Sequence, residues 1–176
     1  MKVIFLDIDG VLNSGDNMRA LYRLKINHGI GETRDQHGQL FDERCVNFLD
    51  CIVRETGANI VISSTWRAAG LLKMKRMWGD RGLPGEVIDI TPRVVSPEMV
   101  EKYYQVGADR GYEIQQWLED HPEVTDYVII DDDSDMLSHQ AFVKCNGKYG
   151  ITYELMIESI QILNKQSSEN VSEQQS

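Results

Sequence analysis

Short, continuous apolar runs alternate with stretches of helical periodicity along this sequence. Apolar runs bounded by polar residues, glycine or proline indicate strands that are buried on both faces of a sheet. The stretches between them repeat apolar residues at intervals of three and four, which indicates helices. The runs cover residues 3–6, 59–63, 87–90, 127–130 and 142–145, and the helical stretches cover 41–53, 71–78, 97–105, 112–118 and 151–163. This alternation predicts an α/β domain with a mostly parallel sheet.

Aspartates follow two of the predicted strands directly. Asp7 and Asp9 end the first run within FLDIDGVLN, and the fourth run continues into DDDSDM at residues 131–136. Because ligands bind beyond the carboxyl ends of parallel strands, we expect these acids to share a site. Their mutual repulsion is on the order of a few kcal/mol, which a bound cation would offset. Ligand sets made only of oxygens select Mg²⁺. Helix capping or turn formation would explain one or two aspartates, but not a cluster after each of two strands.

The length and net charge of the chain limit the kinds of molecule that it can bind. A chain of 176 residues is long enough for one well-filled domain, and its formal net charge is −10. That charge argues against a broad duplex nucleic-acid surface, but it permits a small phosphorylated substrate or a nucleic-acid end. The start, MKVIFLDIDG, matches neither a signal peptide nor a membrane span. With three cysteines that lack paired spacing, we expect a cytoplasmic protein without a membrane segment; its oligomeric state stays open.

Four stretches, in order, resemble the motifs of the haloacid dehalogenase-like (HAD) superfamily. FLDIDGVLN resembles the first motif, in which DxD precedes a small and an apolar residue, and IVISS resembles the second, an apolar strand ending in serine or threonine. DRGYEIQQWL resembles the third, a basic residue at the head of a helix, and VIIDDDSDM resembles the fourth, an apolar strand followed by two acids. More narrowly, ISSTWR, RGYEIQQWL and IIDDDSDM are similar to stand-alone HAD domains associated with bacterial and phage RNA-repair proteins.

The resemblance implies a Rossmann-like, doubly wound, mostly parallel five-stranded sheet with a small flap or cap insertion. We expect a single domain at residues 1–163, with the insertion at residues 14–40 leaving the site fairly open. Residues 164–176 contain a single aliphatic residue, which predicts a disordered tail.

The resemblance also implies roles for the acids. Asp7 would attack phosphorus and form an aspartyl-phosphate, while Asp9 would protonate the leaving oxygen and then activate water. Gly10 would let the backbone approach the phosphoryl group closely. The implied Mg²⁺ ligands are Asp7, the backbone carbonyl of Asp9 and Asp131, with Asp135 and Asp132 in support.

The phosphoryl-binding residues leave alternatives open. Ser63 would bind a phosphoryl oxygen, and the adjacent Ser64 is the alternative. Arg110 would neutralise the phosphoryl charge, although the family more often has lysine there, and a guanidinium can do so bidentately. Lys102 is a weaker alternative to Arg110.

Two residues of STWR have two interpretations each. Arg67 would bind a substrate phosphate at the mouth of the site, or else form a salt bridge with a nearby acid. Trp66 would stack on a base, or else pack at the junction between strand and helix.

The expected function is that of a Mg²⁺-dependent phosphomonoester hydrolase acting on a nucleic-acid end, a nucleotide or a sugar phosphate. A phosphotransferase or phosphomutase shares every motif and is the first alternative. A non-catalytic, phospho-receiver-like binding module also has an acidic Mg²⁺ pocket, but it lacks an acid in the position of Asp9. A silent binding protein on this fold would be free to lose Asp7 or Asp9.

Overall fold

The computed structural model describes residues 1–29, 31–93, 95–105 and 107–173, with side chains in the last helix as far as Lys165. A short 3₁₀ helix covers Thr65–Ala69. The other elements, in chain order, are β1 (Lys2–Leu6), α1 (Gly15–His28), β2 (Arg34–Asp35), β3 (Gly38–Gln39), α2 (Glu43–Thr56), β4 (Asn59–Ile62), α3 (Leu71–Asp80), β5 (Val87–Ile90), α4 (Pro97–Tyr103), α5 (Asp109–Asp120), β6 (Asp126–Asp131), β7 (Phe142–Lys144) and α6 (Tyr153–Glu173).

Five parallel strands form the central sheet, in the order β5-β4-β1-β6-β7. The chain adds β4 and β5 on one side of β1 and then β6 and β7 on the other, so the strand order reverses at β1. Ligands of such sheets bind beyond the carboxyl ends of the strands at this reversal, which here lies between β1 and β6. The α/β fold with a doubly wound, five-stranded parallel sheet is confirmed.

Apolar residues cover both faces of the sheet. Val3, Ile4, Phe5 and Leu6 of β1 are fully buried, which explains why this strand is continuously apolar rather than alternating. Side chains of α2, α3 and α6 pack on one face, and those of α5, led by Ile114 and Trp117, pack on the other. The core therefore fixes β1 at the centre and the residues that follow it at one edge.

Backbone hydrogen bonds extend the strand pairing past the carboxyl ends of the strands. The N–H of Asp7 donates to the carbonyl of Ile130 (3.0 Å), and the N–H of Ser63 donates to the carbonyl of Leu6 (2.9 Å). On the next strand, the N–H of Thr91 donates to the carbonyl of Ile62 (3.0 Å). The residues directly beyond β5, β4 and β1 therefore lie side by side with Asp131, the last residue of β6, along one edge.

The insertion at residues 14–40 forms a helix and a two-stranded hairpin. Ser14 caps α1 by accepting a hydrogen bond from the N–H of Asn17 (3.2 Å). The N–H of Gly15 donates to the carbonyl of Gly147 (2.9 Å), which ties the start of α1 to the loop after β7. An ion pair between Arg81 and Asp35 (2.8 Å) holds the β2–β3 hairpin against the end of α3. Whether this segment acts as a flap or cap stays a prediction.

The last helix is longer than the sequence pattern predicts. The helix continues to Glu173, beyond the predicted end at Leu163, through a polar segment that contains neither glycine nor proline. Residues 174–176 lie outside the described part, and the division into a domain at 1–163 and a tail at 164–176 stays a prediction. Within the described ranges, no helix has the length and apolar composition required to cross a bilayer.

Two helical glycines allow a direct test of how tightly α5 contacts the loop after β6. A Cβ at Gly111 would lie 2.5 Å from the backbone nitrogen of Leu137, so Gly111→Ala should lower the free energy of unfolding by about 1–3 kcal/mol despite alanine's better helix propensity. A Cβ at Gly79 in α3 would meet no described heavy atom within 4 Å. Gly79→Ala should therefore raise the free energy of unfolding by about 0.5–1 kcal/mol.

Urea unfolding monitored by circular dichroism measures both changes. Equal, stabilising effects of the two substitutions would contradict the close contact between α5 and the loop.

Candidate active site

Carboxylates from two strand ends converge beyond β1 and β6. One oxygen from each of Asp7, Asp131 and Asp132 lies within 4.8 Å of the others. Asp132 packs between two glycines, since a Cβ at Gly10 would lie 2.2 Å from its Oδ2 and a Cβ at Gly147 would lie 2.4 Å from the same atom. Gly10 also has a φ of +74°, a conformation that side chains disfavour. Glycine at both positions therefore makes room for the acid cluster.

Arg110 joins the acids from the first turn of α5. Its Nη1 donates to Asp7 Oδ1 (3.1 Å), and its Nε lies 3.2 Å from Asp131 Oδ2. The same Nη1 donates to the carbonyl of Ser63. The backbone N–H of Arg110 donates to Asp135 Oδ2 (3.2 Å), so Asp135 satisfies a free donor at the start of the helix. The guanidinium is thus held in place by both its side chain and its backbone.

Burial changes the proton affinities of these groups. It raises the pKa of Asp7 to about 6, although the charge of Arg110 opposes the shift. It raises the pKa of Asp131 to about 7, and the neighbouring charge of Asp7 adds to the shift. Burial alone would lower the pKa of Arg110, but the acids around it outweigh that effect and the pKa lies above its usual value. One guanidinium among several carboxylates leaves the cluster with an excess of negative charge.

The cluster suits a hard divalent cation. Its donors are all carboxylate oxygens, which Mg²⁺ prefers. Asp131 is fully buried, and its Oδ2 accepts no hydrogen bond from any described residue. A buried charged oxygen of this kind is costly unless a cation neutralises it, and Arg110 approaches it without hydrogen-bond geometry. Asp7, Asp131 and Asp132 are therefore the residues that fit a Mg²⁺ ion.

Asp9 occupies a different environment from Asp7. Its carboxylate is exposed, and it accepts hydrogen bonds from Asn13 Nδ2 (2.6 Å) and from Trp66 Nε1 (3.0 Å). Asn13 Oδ1 in turn accepts from the N–H of Gly10 (2.9 Å), which fixes the amide. The indole ring of Trp66 packs against Phe41, with the ring centroids 5.7 Å apart. Two immobilised donors therefore orient the Asp9 carboxylate.

A cavity of about 420 Å³ opens above the acids. Asp7, Asp9, Gly10, Asp132 and Arg110 line it together with Asn13, Gly15, Met18, Thr65, Asp133 and Gly147. Most of the predicted catalytic and metal-binding residues thus share one cavity, and Asp131 lies fully buried among them. Met18 and Gly15 belong to α1, so the insertion forms part of the wall.

The two serines of the second motif are fully buried. Ser63 Oγ has no hydrogen-bond partner among the described residues, whereas Ser64 Oγ accepts from the N–H of Trp66 (3.4 Å) and caps the 3₁₀ helix. Thr65 is the next residue, and it does line the cavity. Which hydroxyl binds a phosphoryl oxygen stays a prediction.

Asp135, Arg67 and Lys102 lie apart from the acid cluster. Asp135 contacts Arg110 rather than the three converging carboxylates, so its predicted role as a supporting metal ligand stays a prediction. Arg67 forms an ion pair with Glu113 and is 8% exposed, which matches the salt-bridge interpretation, and its role in substrate binding stays a prediction. Lys102 pairs with Glu119 on the surface (3.1 Å), while Arg110 is the cation beside Asp7.

Four residues of the site have roles that went unpredicted. Two of them had a signal in the sequence: Asn13 is the polar residue that ends FLDIDGVLN, and Thr65 follows Ser63 and Ser64 as a third consecutive hydroxyl residue. Trp66 was weighed for stacking and packing, but not as a hydrogen-bond donor to Asp9. Gly147 carried no local signal, because its role depends on the approach of Asp132 in the folded chain.

Comparison with known proteins agrees with the motifs and the geometry. A sequence model of the family described as "HAD domain in Swiss Army Knife RNA repair proteins" matches residues 3–156. A comparison with curated proteins found no match. The matched range includes both acidic strand ends, Arg110 and the insertion. The chain therefore belongs to the family of HAD domains in Swiss Army Knife RNA repair proteins.

Proposed function

We propose that this protein is a Mg²⁺-dependent phosphomonoesterase that forms an aspartyl-phosphate on Asp7. HAD family membership suggests a phosphatase-like hydrolase in general. The observation that carries the specific proposal is the pairing of two differently placed carboxylates in one cavity. Asp7 is buried beside Arg110, and Asp9 is exposed and held by two donors.

The buried carboxylate suits the role of nucleophile. Arg110 contacts Asp7 and lines the same cavity, so it can hold the attacking group and also attract the phosphoryl oxygens. In the first step an oxygen of Asp7 bonds to phosphorus, and the bond from phosphorus to the leaving oxygen breaks. In the second step water attacks the same phosphorus, which releases inorganic phosphate and restores the carboxylate.

The exposed carboxylate suits the role of acid and base. Protonated Asp9 would give its proton to the leaving oxygen in the first step and take a proton from the attacking water in the second. The hydrogen bonds from Asn13 and Trp66 keep this carboxylate pointing along a fixed direction. The two steps together consume one water and leave both aspartates as they began.

The acid cluster would hold the metal. Asp7, Asp131 and Asp132 are the proposed ligands, with the backbone carbonyl of Asp9 and the carboxylate of Asp135 as further candidates. When bound, Mg²⁺ supplies positive charge that offsets the carboxylates and the transferring phosphoryl group. Arg110 adds a second, fixed positive charge from the opposite element, α5.

The proposed substrate is a phosphate at the end of an RNA strand. The family description associates this domain with RNA repair proteins. A single terminal phosphate also needs few cations, and Arg110 lines the cavity of this acidic chain. Nucleotides and sugar phosphates are the alternative substrates, and comparing the rates of phosphate release from them and from a 3′-phosphorylated RNA oligonucleotide separates the three classes.

We also propose a reducing compartment such as the cytoplasm. Cys45, Cys51 and Cys145 are free thiols. Burial raises the pKa of Cys45 to about 11, so its thiol stays protonated and unreactive. Free thiols of this kind are typical of cytosolic proteins.

Asp7→Asn should abolish Mg²⁺-dependent release of phosphate from a 3′-phosphorylated RNA oligonucleotide, by a factor on the order of 10³ or more. The amide cannot act as the nucleophile, while its size preserves the packing. Asp50→Asn, at a partly exposed position of α2 outside the cavity, is the matched control and should leave the rate unchanged. Circular dichroism checks that both variants fold. Retained turnover in Asp7→Asn would contradict the assignment of Asp7 as the nucleophile. If an alcohol acceptor becomes phosphorylated during the reaction, the protein is instead a phosphotransferase.

Trp66→Phe should lower kcat/KM, which reports the first phosphoryl transfer, by about three- to tenfold for phosphate esters with alcohol leaving groups, because it removes one hydrogen bond that orients Asp9. The effect should be smaller for para-nitrophenyl phosphate, whose leaving group departs without a proton. Trp78→Phe removes an indole N–H that donates to the carbonyl of Pro84 instead, and it is the control. An equal loss with both leaving groups would contradict a role for Trp66 in proton transfer.

Mg²⁺ should raise the Tm of the wild-type protein, since an ion that binds the folded chain at 100 times its Kd adds about 2.7 kcal/mol of stability. Asp132→Asn should reduce this shift, because Asp132 is one of the converging carboxylates. Asp133→Asn changes the neighbouring acid, which lies outside that cluster, and should retain most of the shift. Thermal unfolding with and without Mg²⁺ gives the answer independently of activity. Equal shifts in both variants would contradict the assignment of Asp132.

A further inference from the structure

The helix of the insertion, α1, contributes little to the core. No residue of α1 is buried, and its large apolar side chains Tyr22, Leu24 and Ile26 are exposed. Helices of folded proteins owe most of their stability to an apolar face that packs on a neighbouring element. Because α1 buries no such face, core packing does not explain why the helix starts at the wall of the active-site cavity.

The charge of α1 is opposite to that of the whole chain. The helix has three arginine or lysine residues and one acid, Asp16, whereas the chain has a formal net charge of −10. The loop after β7 is basic as well, since residues 144–150 include two lysines and no acid. Positive charge is therefore concentrated in two segments of an acidic protein.

Two backbone hydrogen bonds join these segments beside the active-site cavity. The N–H of Gly15 donates to the carbonyl of Gly147 (2.9 Å), and the N–H of Asp16 donates to the carbonyl of Lys148 (3.0 Å). Gly15 and Gly147 both line the cavity above Asp7. The start of α1 and the loop after β7 therefore form one continuous wall.

Three cations lie along this wall. Arg19 extends back to the start of α1, since a Cβ at Gly15 would lie 3.8 Å from Arg19 Nη2. Lys148 directly follows Gly147 in the chain. Lys144 lines an adjoining cavity of about 480 Å³, which shares two of its lining residues with the cavity above Asp7. We call Arg19, Lys144 and Lys148 the basic rim.

The basic rim lies close to the acids of the site. A Cβ at Gly147 would lie 2.4 Å from Asp132 Oδ2, and an oxygen of Asp132 lies within 4.8 Å of one of Asp7. Only Asp132 therefore needs to be passed between Asp7 and the loop that carries two of the rim cations. A phosphate held at Asp7 would have its nearest neighbours in a strand beside the rim.

The side chains of the basic rim are accessible to an anion. All three are exposed. Lys144 Nζ donates to Ser134 Oγ, and Lys148 Nζ donates to the hydroxyl of Tyr149 (3.0 Å), so both ammonium groups contact neutral oxygens. Arg19 pairs with Asp16 (2.6 Å), but an exposed ion pair of this kind contributes little stability and can yield to a phosphate.

Three cations suit a single strand better than other polyanions. Membrane surfaces are commonly bound by clusters of about four to eight Lys or Arg residues, and duplexes by an extended basic face. The net charge of −10 opposes both of these partners. A small basic surface next to a cavity for one phosphate matches the few phosphates that adjoin the end of one strand.

We propose that the basic rim binds the phosphodiester backbone of the RNA strand whose terminal phosphate is hydrolysed at Asp7, an inference that rests on the proposed function. The strand leaves the cavity over Gly147, and its next phosphates contact Arg19, Lys144 and Lys148. The rim then favours oligonucleotides over mononucleotides, because a nucleoside monophosphate has no further phosphate to place there.

RNA binding by the basic rim can be measured without any chemistry. Fluorescence anisotropy of a short, labelled single-stranded RNA with a 3′-hydroxyl gives Kd for the full-length protein as a function of salt concentration. The combined variant Arg19→Gln, Lys144→Gln and Lys148→Gln should raise Kd by about a hundredfold at about 0.1 M salt. It should also lower the slope of log Kd against log salt by about 2, since each contact with a phosphate of a single strand adds about 0.7.

The exposed face of α3 provides the matched control. It also has two lysines and one arginine, namely Lys73, Lys75 and Arg76. Arg76 pairs with Asp80 within α3 as Arg19 pairs with Asp16 within α1. Replacing these three residues by glutamine removes the same charge and should leave Kd and its salt dependence nearly unchanged. Circular dichroism checks that both triple variants fold.

Three results of the binding experiment would overturn the proposal. Equal weakening by both triple variants would show that net charge alone determines binding. Wild-type protein that does not bind the RNA even at low salt would leave the basic rim without this ligand. Wild-type protein that binds phosphatidylserine vesicles but not the RNA would instead assign the rim to a membrane surface.

Kinetics test whether the strand bound by the basic rim is the substrate. Wild-type protein should have a higher kcat/KM for a 3′-phosphorylated RNA oligonucleotide than for adenosine 3′-monophosphate. The variant of the rim should lose most of this preference, whereas the variant of α3 should keep it. An unchanged preference in the variant of the rim would overturn the substrate assignment.

The two experiments also separate this proposal from the proposed function. If wild-type protein hydrolyses no phosphate ester, the proposed function fails, and the anisotropy titration still decides whether the basic rim binds RNA. If phosphate esters are hydrolysed but the variant of the rim binds RNA as tightly as wild type, the role of the rim fails and the phosphatase activity stands.

Discussion

Parallel pairing of β1 with β6 forces two acids together at the edge of the sheet. The N–H of Asp7 donates to Ile130, the residue before Asp131, so the two carboxylates cannot separate without breaking the central strand pair. Their repulsion must be offset locally, and Arg110 is the cation that the chain itself supplies. Gly111 lets α5 lie close against the loop after β6, and Arg110 in its first turn contacts both acids. A bound metal ion would offset the negative charge that Arg110 leaves uncompensated.

The different surroundings of Asp7 and Asp9 divide the chemistry between them. Burial raises the pKa of Asp7 and places its carboxylate against Arg110, which suits a group that attacks an electron-poor phosphorus. Asp9 is exposed and has neutral donors, Asn13 and Trp66, which orient the carboxylate without pairing it with a charge. A group in contact with solvent can exchange protons with a leaving oxygen or with water. Two residues of the same type, one position apart, thus acquire different roles from their neighbours.

The parts of this structure that follow from local pattern were predictable from the sequence, and those that depend on tertiary contact were not. Apolar runs placed the strands of the main sheet, and motif order placed Asp7 and Arg110 in one site, because both rest on spacing along the chain. The partner of Arg67 could not be inferred, since Glu113 lies far away in sequence and only the packing of α5 brings it close. The length of α6 was underestimated, because a polar segment without glycine or proline is compatible with both helix and disorder.

The insertion at residues 14–40 contacts two residues that lie next to active-site acids: Trp66, beside Asp9, and Gly147, beside Asp132. Its hairpin contacts Trp66, since a Cβ at Gly38 would lie 3.1 Å from the indole ring, and Trp66 donates to Asp9. Its helix is tied by the N–H of Gly15 to Gly147, which packs on Asp132. A segment that only shielded the site would need neither contact. Any movement of the insertion on substrate binding would therefore shift the surroundings of Asp9, the proposed proton-transfer group, and of Asp132, a proposed metal ligand. Such a movement would couple substrate binding to catalysis.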